Sequence, residues 1–345
     1  MSYIKLTSNK ISESLKCPTS KSYANRALIL AALKKDKVQI KDLPNVSDVS
    51  DLLFMFEQLG LNLKKEHNSI TILNHFPDCE FKSKTKIKLL GGEGGTTIRF
   101  LVALLCLGEN TYQIKLKGRL AKRPWEEYFE ALRALGASIH LEGDLLEVKG
   151  PLNLRGNHIE INCSRSTQFA SSLLMLQTFE SFELELKNVK ASSAYIDMTK
   201  KLCDLFREES VYVVPPDFSS LGYLISYAVL KQDLEIINVF AIDKYQADSK
   251  IFDVLEQIKA NYSFTQKGLR IFKSDNLAPF VIDASECIDL GPTLMLLASF
   301  IKGTSTLKNV SLLRHKESDR LEEMQRMLDY FSCEYFYDQE LDVFK

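Results

Sequence analysis

Hydrophobic positions along the chain repeat one pattern. In "LLFMFEQLGLNLKKEHNSITIL" (residues 52–73) apolar residues recur at helical spacing, then comes Leu-Gly, then alternation broken by a polar turn. "YFEALRALGASIHLEGDLLEVKG" (128–150) runs the same way. Each stretch predicts an amphipathic helix followed by two short strands. Weaker copies read "YIDMTKKLCDLFREESVYVV" (195–214), "IFDVLEQIKANYSFTQKGLRIF" (251–272) and "RLEEMQRMLDYFSCEYFYDQELDVF" (320–344).

A second kind of helix precedes each copy. These helices read "SKSYANRALILAAL" from Ser20, "GGTTIRFLVALLCL" from Gly94, "STQFASSLLMLQ" from Ser166, "SSLGYLISYAVL" from Ser219 and "DLGPTLMLLASF" from Asp289. They are apolar on most faces and so belong in a core, yet each begins with small and polar residues. The unit is β-α-β-α-β-β, counted five times, and the expected fold class is α/β (α+β).

Composition adds limits. A chain of 345 residues exceeds one ordinary core and predicts two domains. Basic and acidic residues number 44 and 45, for a net charge of -1. No global field draws the chain to nucleic acid or a membrane, so anion binding must be local. The seven cysteines contain no CxxC pair and mostly lie in or beside apolar runs, as small buried residues do. "MSYIKLTSNK" lacks a signal-peptide core and no apolar run reaches membrane-span length, so the cytoplasm is expected.

Candidate chemistry lies at the helix starts. The first turn of a helix carries unpaired N–H groups and the positive end of the dipole. Glycine and serine there admit an anion closely and add donors. "TSKSYANR" supplies Lys21, Ser22 and Arg26; "GGEGGTTIR" supplies Arg99; "SRSTQ" supplies Ser166, Thr167 and Gln168. The glycine run lacks the Gly-Lys-Ser/Thr ending of a P-loop, and no dinucleotide fingerprint is present. Arg99 also fits a structural ion pair within its loop. "KGRLAKRPWEEYF" packs Lys117, Arg119, Lys122 and Arg123 together, as an anion site or a solvated basic loop. "RHKESDRLEEM" places Lys316 and Arg320 on one helix face, with Glu317 beside them. Two cations would keep Glu317 ionised, as suits a general base, although a mixed-charge surface helix reads the same way.

"CPTSKSYANRALILAAL", "GGEGGTTIRFL", "GRLAKRP", "SRSTQF", "SSAYID", "DFSSLGYLI" and "RHKESDRLEEM" together resemble, in order and spacing, the EPSP synthase (3-phosphoshikimate 1-carboxyvinyltransferase) branch of the enolpyruvyl transferase family. The resemblance runs from about residue 10 to the end. It implies transfer of enolpyruvyl from phosphoenolpyruvate to the 5-hydroxyl of shikimate 3-phosphate by addition and elimination, on the route to aromatic amino acids. It implies no metal or organic cofactor, no nucleic-acid or membrane partner, and a monomer. Carried over, Lys21 contacts both substrates and is a candidate acid. Ser22 and Arg26 hold the shikimate phosphate, with Ser166, Thr167 and Lys316. Gly95 admits phosphoenolpyruvate to the backbone, while Arg119 and Arg320 clamp it. Gln168 reaches between the ligands, and Ser192 and Tyr195 match a Ser-x-x-Tyr of the substrate site. Asp289 accepts the hydroxyl proton, with Glu317 as partner acid or base.

The resemblance further implies two domains, residues 19–216 and residues 1–18 plus 217–345, with three units and two units. Crossings fall near Pro18-Thr19 and Pro215-Pro216-Asp217. The family has a sixth unit, whose Asp-His-Arg helix start and later lysine have no match before Lys345. A non-catalytic shikimate 3-phosphate-binding protein or fragment is therefore the alternative expectation. Smaller departures are Thr19, Glu93 and Leu312; Glu93 beside an anion site calls for a cation such as Arg119.

Overall fold

The computed structural model describes residues 12–164, 166–189 and 193–345. Its α-helices alternate between two kinds. The apolar kind comprises α1 (Lys21–Leu33), α3 (Gly95–Leu105), α5 (Thr167–Gln177), α7 (Phe218–Lys231) and α9 (Gly291–Ala298). Between them lie the amphipathic α2 (Ser47–Gln58), α4 (Glu126–Ala134), α6 (Ser193–Glu208), α8 (Ile251–Gln257) and α10 (Arg320–Tyr330). In α1 every residue from Tyr23 to Leu33 is buried, as an all-round apolar surface requires.

Four sheets share one order: a parallel pair extended by an antiparallel hairpin. Ile87–Leu89 runs parallel to Thr111–Lys115, which pairs with Leu145–Lys149 and through it with Ser138–Glu142. Val281–Asp283, Thr306–Lys308, Val343–Phe344 and Tyr337–Asp338 repeat this. In the other two, the leading strand comes from elsewhere in the chain. Val211–Val213 lies parallel to Val38–Lys41, and Ser14–Leu15 lies parallel to Leu234–Ile236.

The remaining sheet is the parallel pair His158–Asn162 and Glu183–Lys187. This corrects the reading of residues 195–214: α6 is followed by one strand, not two, and that strand joins another sheet. The cause lies in how the helices end. After α2, α4, α8 and α10 the chain turns through a left-handed residue: Gly60 (φ 89°), Gly136 (φ 96°), Lys259 (φ 60°) and Ser332 (φ 54°). Each helix closes on paired reversed bonds, as in Gly60 N–H to Glu57 O at 3.1 Å and Leu61 N–H to Phe56 O at 3.0 Å. In α6, Glu209 N–H instead reaches back to Leu205 O at 2.9 Å, and the chain runs on extended.

The left-handed residue makes a test. Glycine takes that conformation freely, while a Cβ strains it. Lys259 is exposed, so Lys259→Gly removes strain without removing packing. It is expected to stabilise the protein by roughly 0.5–1 kcal/mol, read as a shift in urea midpoint at unchanged slope.

Buried apolar residues form two clusters, one from Tyr23 to Val214 and one from Cys17 plus Phe218 to Phe344. The chain passes between them twice, and the two passages lie side by side. Ser20 N–H donates to Pro215 O and Asp217 N–H to Pro18 O, both at 2.8 Å, and Thr19 bridges Pro216. The prolines, which have no N–H, serve here as acceptors. All seven cysteines are free thiols, five of them buried. Among the described residues, no helix is long and apolar enough to cross a membrane.

Candidate active site

The amino ends of α1, α3, α5, α7 and α10, with the turn before α9, meet at one cleft of about 1770 Å³ between the two clusters. Ser20 and Gly94 precede α1 and α3 without a capping side-chain bond, so their first-turn N–H groups remain open to an anion. Ser166 Oγ caps α5 by accepting from Gln168 N–H, and Asp217 Oδ1 caps α7 by accepting from Ser220 N–H.

On one side stands Asp289. Its Oδ1 accepts from Arg320 Nη1 at 2.7 Å and lies 3.2 Å from Lys316 Nζ, while Tyr195 OH donates to Oδ2 at 3.2 Å. Burial alone would raise its pKa, but Lys316 and Arg320 outweigh burial and hold the carboxyl well below the usual range. Glu317 pairs with Arg320 at 3.2 Å and with Arg123 of the other side at 3.4 Å. Those cations and its own backbone likewise overcome partial burial and lower its pKa. Arg123–Glu317, Tyr195–Asp289 and Tyr23 OH to Asp243 Oδ2 at 2.8 Å join the two halves across the cleft.

On the opposite side, Lys21 lies half-exposed at the start of α1, 3.5 Å from Asp48. Ser22, Ser166 and Thr167 line the cleft beside it. Arg26 and Arg99 are almost wholly buried, and no carboxylate pairs with either among the described residues. Arg26 donates to Thr199 Oγ1 at 2.7 Å, Ser171 Oγ at 3.2 Å and the carbonyls of Ser22 and Tyr195. Burial pulls its pKa down to about 10, and burial with the charge of Arg123 pulls Arg99 down to about 9. Both remain cations at neutral pH, so this wall carries positive charge that the protein does not neutralise.

Eleven of the residues that the resemblance assigned line the one cleft, Lys21, Ser22, Arg26, Ser166, Thr167, Gln168, Tyr195, Asp289, Lys316, Glu317 and Arg320, and so do the sequence candidates Arg99, Lys122 and Arg123. Ser192 lies outside the described residues. Two expected residues lie outside the lining. Arg119 is exposed and absent from the lining, because the short turn Leu120–Lys122 packs Leu120 inward and leaves Arg119 at its open end. Arg123, one turn further on, takes the cleft position. Gly95 does not line the cleft either; a Cβ there would meet Arg123 Nη1 at 2.3 Å, so this glycine admits the guanidinium. Glu93 is exposed against Gly118 and outside the lining.

Lining residues that sequence reading missed include Thr96 and Asp48, and it also missed buried Asp248, which contacts the lining residue Ser219. The basic cluster at 117–123 signalled an anion site, but not that Lys122 and Arg123, rather than Lys117 and Arg119, line the cleft. Asp248 gives no sequence signal. It is 2% exposed, with Oδ2 against Ser219 Oγ and Oδ1 unpartnered. Burial, then the charge of Asp289, pushes its pKa up, more than Ser219 and Lys316 lower it. A carboxyl that keeps its proton in the folded state costs stability as pH rises beyond about 4, where the unfolded chain has released its own. Asp248→Asn is therefore expected to flatten the decline of melting temperature between about pH 5 and 8 relative to the parent protein. Parallel profiles for the two proteins would refute this.

The sequence signature of the family EPSP synthase (3-phosphoshikimate 1-carboxyvinyltransferase) matches residues 6–209 and 206–335. The 3-phosphoshikimate 1-carboxyvinyltransferase of Aliivibrio salmonicida is 30% identical over 344 residues, covering 92% of this chain and 80% of the relative. That of Syntrophobacter fumaroxidans is 29% identical over 340 residues, covering 90% and 79%. The EPSP synthase structure from Acinetobacter baumannii superposes with a TM-score of 0.74 at 20% identity, over 96% of this chain and 80% of that one. The enolpyruvyl transferase NikO from Streptomyces tendae gives 0.66 at 15% identity, over 87% and 75%.

Proposed function

The chain belongs to the EPSP synthase family of transferases, and on that premise we propose that it transfers the enolpyruvyl group of phosphoenolpyruvate to the 5-hydroxyl of shikimate 3-phosphate, releasing phosphate. The observation that carries this reading is the charge arrangement. Buried Arg26 and Arg99 without carboxylates face a carboxylate, Asp289, that is saturated by two cations. Two polyanionic substrates fit such a cleft; one neutral substrate does not.

The residues divide the work as follows. Ser22, Arg26, Ser166, Thr167 and Lys316 hold the shikimate phosphate. Arg320 and Arg123 hold phosphoenolpyruvate, with Gln168 between the two. Asp289 takes the 5-hydroxyl proton as that oxygen bonds to the central enol carbon, and Lys21 gives a proton to the methylene carbon. The tetrahedral adduct then loses phosphate and one methyl proton, restoring the double bond. Arg320 and Lys316 suppress Asp289 as a base until anions engage them, so basicity arrives together with substrate. Glu317 is the second acid or base.

The same reading divides the chain into domains of residues 19–216 and of 1–18 with 217–345, closing at the proline crossings to exclude water. The separate buried clusters support this division. Phosphate release on mixing phosphoenolpyruvate with shikimate 3-phosphate tests the proposal. Calorimetric binding of shikimate 3-phosphate without release would replace it with the non-catalytic reading.

A further inference from the structure

Arg99 sits where a ligand cation would be expected, yet its guanidinium points its hydrogen bonds at the protein. Nη2 donates to Pro124 O at 2.8 Å and Nη1 to Gln168 Oε1 at 2.7 Å. Its Cζ lies over the rings of Trp125 and Phe169, at 5.1 and 4.8 Å from their centroids. Gln168 Nε2 in turn donates to Thr96 Oγ1 at 2.8 Å. Arg99, Gln168 and Thr96 all line the cleft.

An arginine can only donate, so the amide oxygen of Gln168 must face Arg99 and its nitrogen must face Thr96. The Thr96 oxygen is then an acceptor from Gln168, and its own O–H must donate elsewhere. The second Gln168 N–H is likewise left to donate. The hydrogen-bonded chain thus has one fixed polarity, starting at Arg99 and ending in donors at the cleft.

We propose that Arg99 is a positioning residue that locks the Gln168 amide, and through it the Thr96 hydroxyl, as donors to an anionic oxygen of the substrate. The inference rests on the proposed transfer reaction and names the oxyanion of phosphoenolpyruvate as the acceptor. Without Arg99 the amide can flip and offer its carbonyl oxygen, which repels that oxyanion. The buried Arg99 Nε, which has no acceptor, marks a charge retained for this task rather than spent on a full set of bonds.

A double-mutant cycle tests it, reading the KM and calorimetric affinity for phosphoenolpyruvate at saturating shikimate 3-phosphate. Arg99→Met and Gln168→Ala should each raise KM by about tenfold, the worth of a hydrogen bond to a charged oxygen. The double variant should be no worse than Gln168→Ala alone, and Arg99→Lys, which can still donate to the amide oxygen, should recover most of the loss. Additive losses would overturn the inference. Gln168→Glu keeps a partner for Arg99 and should melt no lower than the parent, yet its carboxylate can only accept, so Thr96 must donate into it. A KM increase of about tenfold or more without loss of melting temperature supports the fixed polarity, and an unchanged KM refutes it even if Arg99→Met does not fold. A parent protein that turns over while the cycle is additive sinks this inference alone. A parent that neither turns over nor binds phosphoenolpyruvate sinks the proposed function with it.

Discussion

Asp289→Asn is expected to lower the rate of phosphate release by about two to four orders of magnitude, the range for loss of a general base. The substitution preserves shape: an asparagine oxygen still accepts from Arg320 or Lys316, which lie 2.7 and 3.2 Å from Asp289 Oδ1. It does not preserve the ability to take a proton. It also frees two cations from a carboxylate, so the KM for phosphoenolpyruvate should stay constant or fall. That pairing of a lost kcat with an undiminished affinity separates a base from a binding group. Steady-state kinetics on both substrates decide it. A kcat within tenfold of the parent would remove Asp289 from the chemistry, and a raised KM with unchanged kcat would make it a substrate contact.

The expected pH behaviour follows from the same contacts. Asp289 and Glu317 both have depressed pKa values in the folded protein. Their stabilisation is present above the ordinary carboxylate range and is lost as pH falls through the folded values. The active-site acids therefore contribute to the acid limit of stability, together with other depressed carboxylates such as Asp319 and Asp283, whereas the penalty from Asp248 grows in the opposite direction.

The elements legible in the chain were those fixed by local chemistry. Apolar helices at 21–33, 95–105 and 167–177 form because nothing but a core can cover them. Hairpins follow α2 and α4 because Leu-Gly supplies a left-handed residue, and Lys259 and Ser332 show that the turn persists where glycine is absent. What local pattern did not carry was exchange between distant segments. "VYVV" at 211–214 alternates like the other hairpin strands, but its partner is Val38–Lys41, far back in the chain. The same limit applies to the cleft. Lys316, Glu317 and Arg320 are close in sequence, but Lys316 and Glu317 lie in the bend before α10 and so do not share the expected helix face with Arg320. Lys316 meets Arg320 through Asp289, and Glu317 pairs with Arg320 directly, whereas the choice between Arg119 and Arg123 depends on which way a three-residue turn buries Leu120. Asp248 was invisible because its role depends on Ser219 and Asp289 approaching from other elements.

Lys21→Met should depress turnover about a thousandfold or more, with little effect on folding, if Lys21 supplies the proton and a positive charge to the enol as it reacts. The structure separates these two consequences. The Lys21 side chain is 46% exposed, and its ion pair with Asp48 spans 3.5 Å, so losing it costs at most about 1 kcal/mol of stability. Around it, α1 has no acid in its first turn and no side-chain cap, so Lys21 is the charge that this helix start presents to the cleft. Lys21→Arg divides the role further. Arginine retains the charge and can hold an anionic substrate, but it does not surrender a proton at neutral pH. Affinity for phosphoenolpyruvate should therefore recover in Lys21→Arg while kcat does not. Recovery of both would make Lys21 a clamp only, leaving Glu317 as the acid, and a Lys21→Met protein that turns over at the parent rate would exclude Lys21 from catalysis altogether.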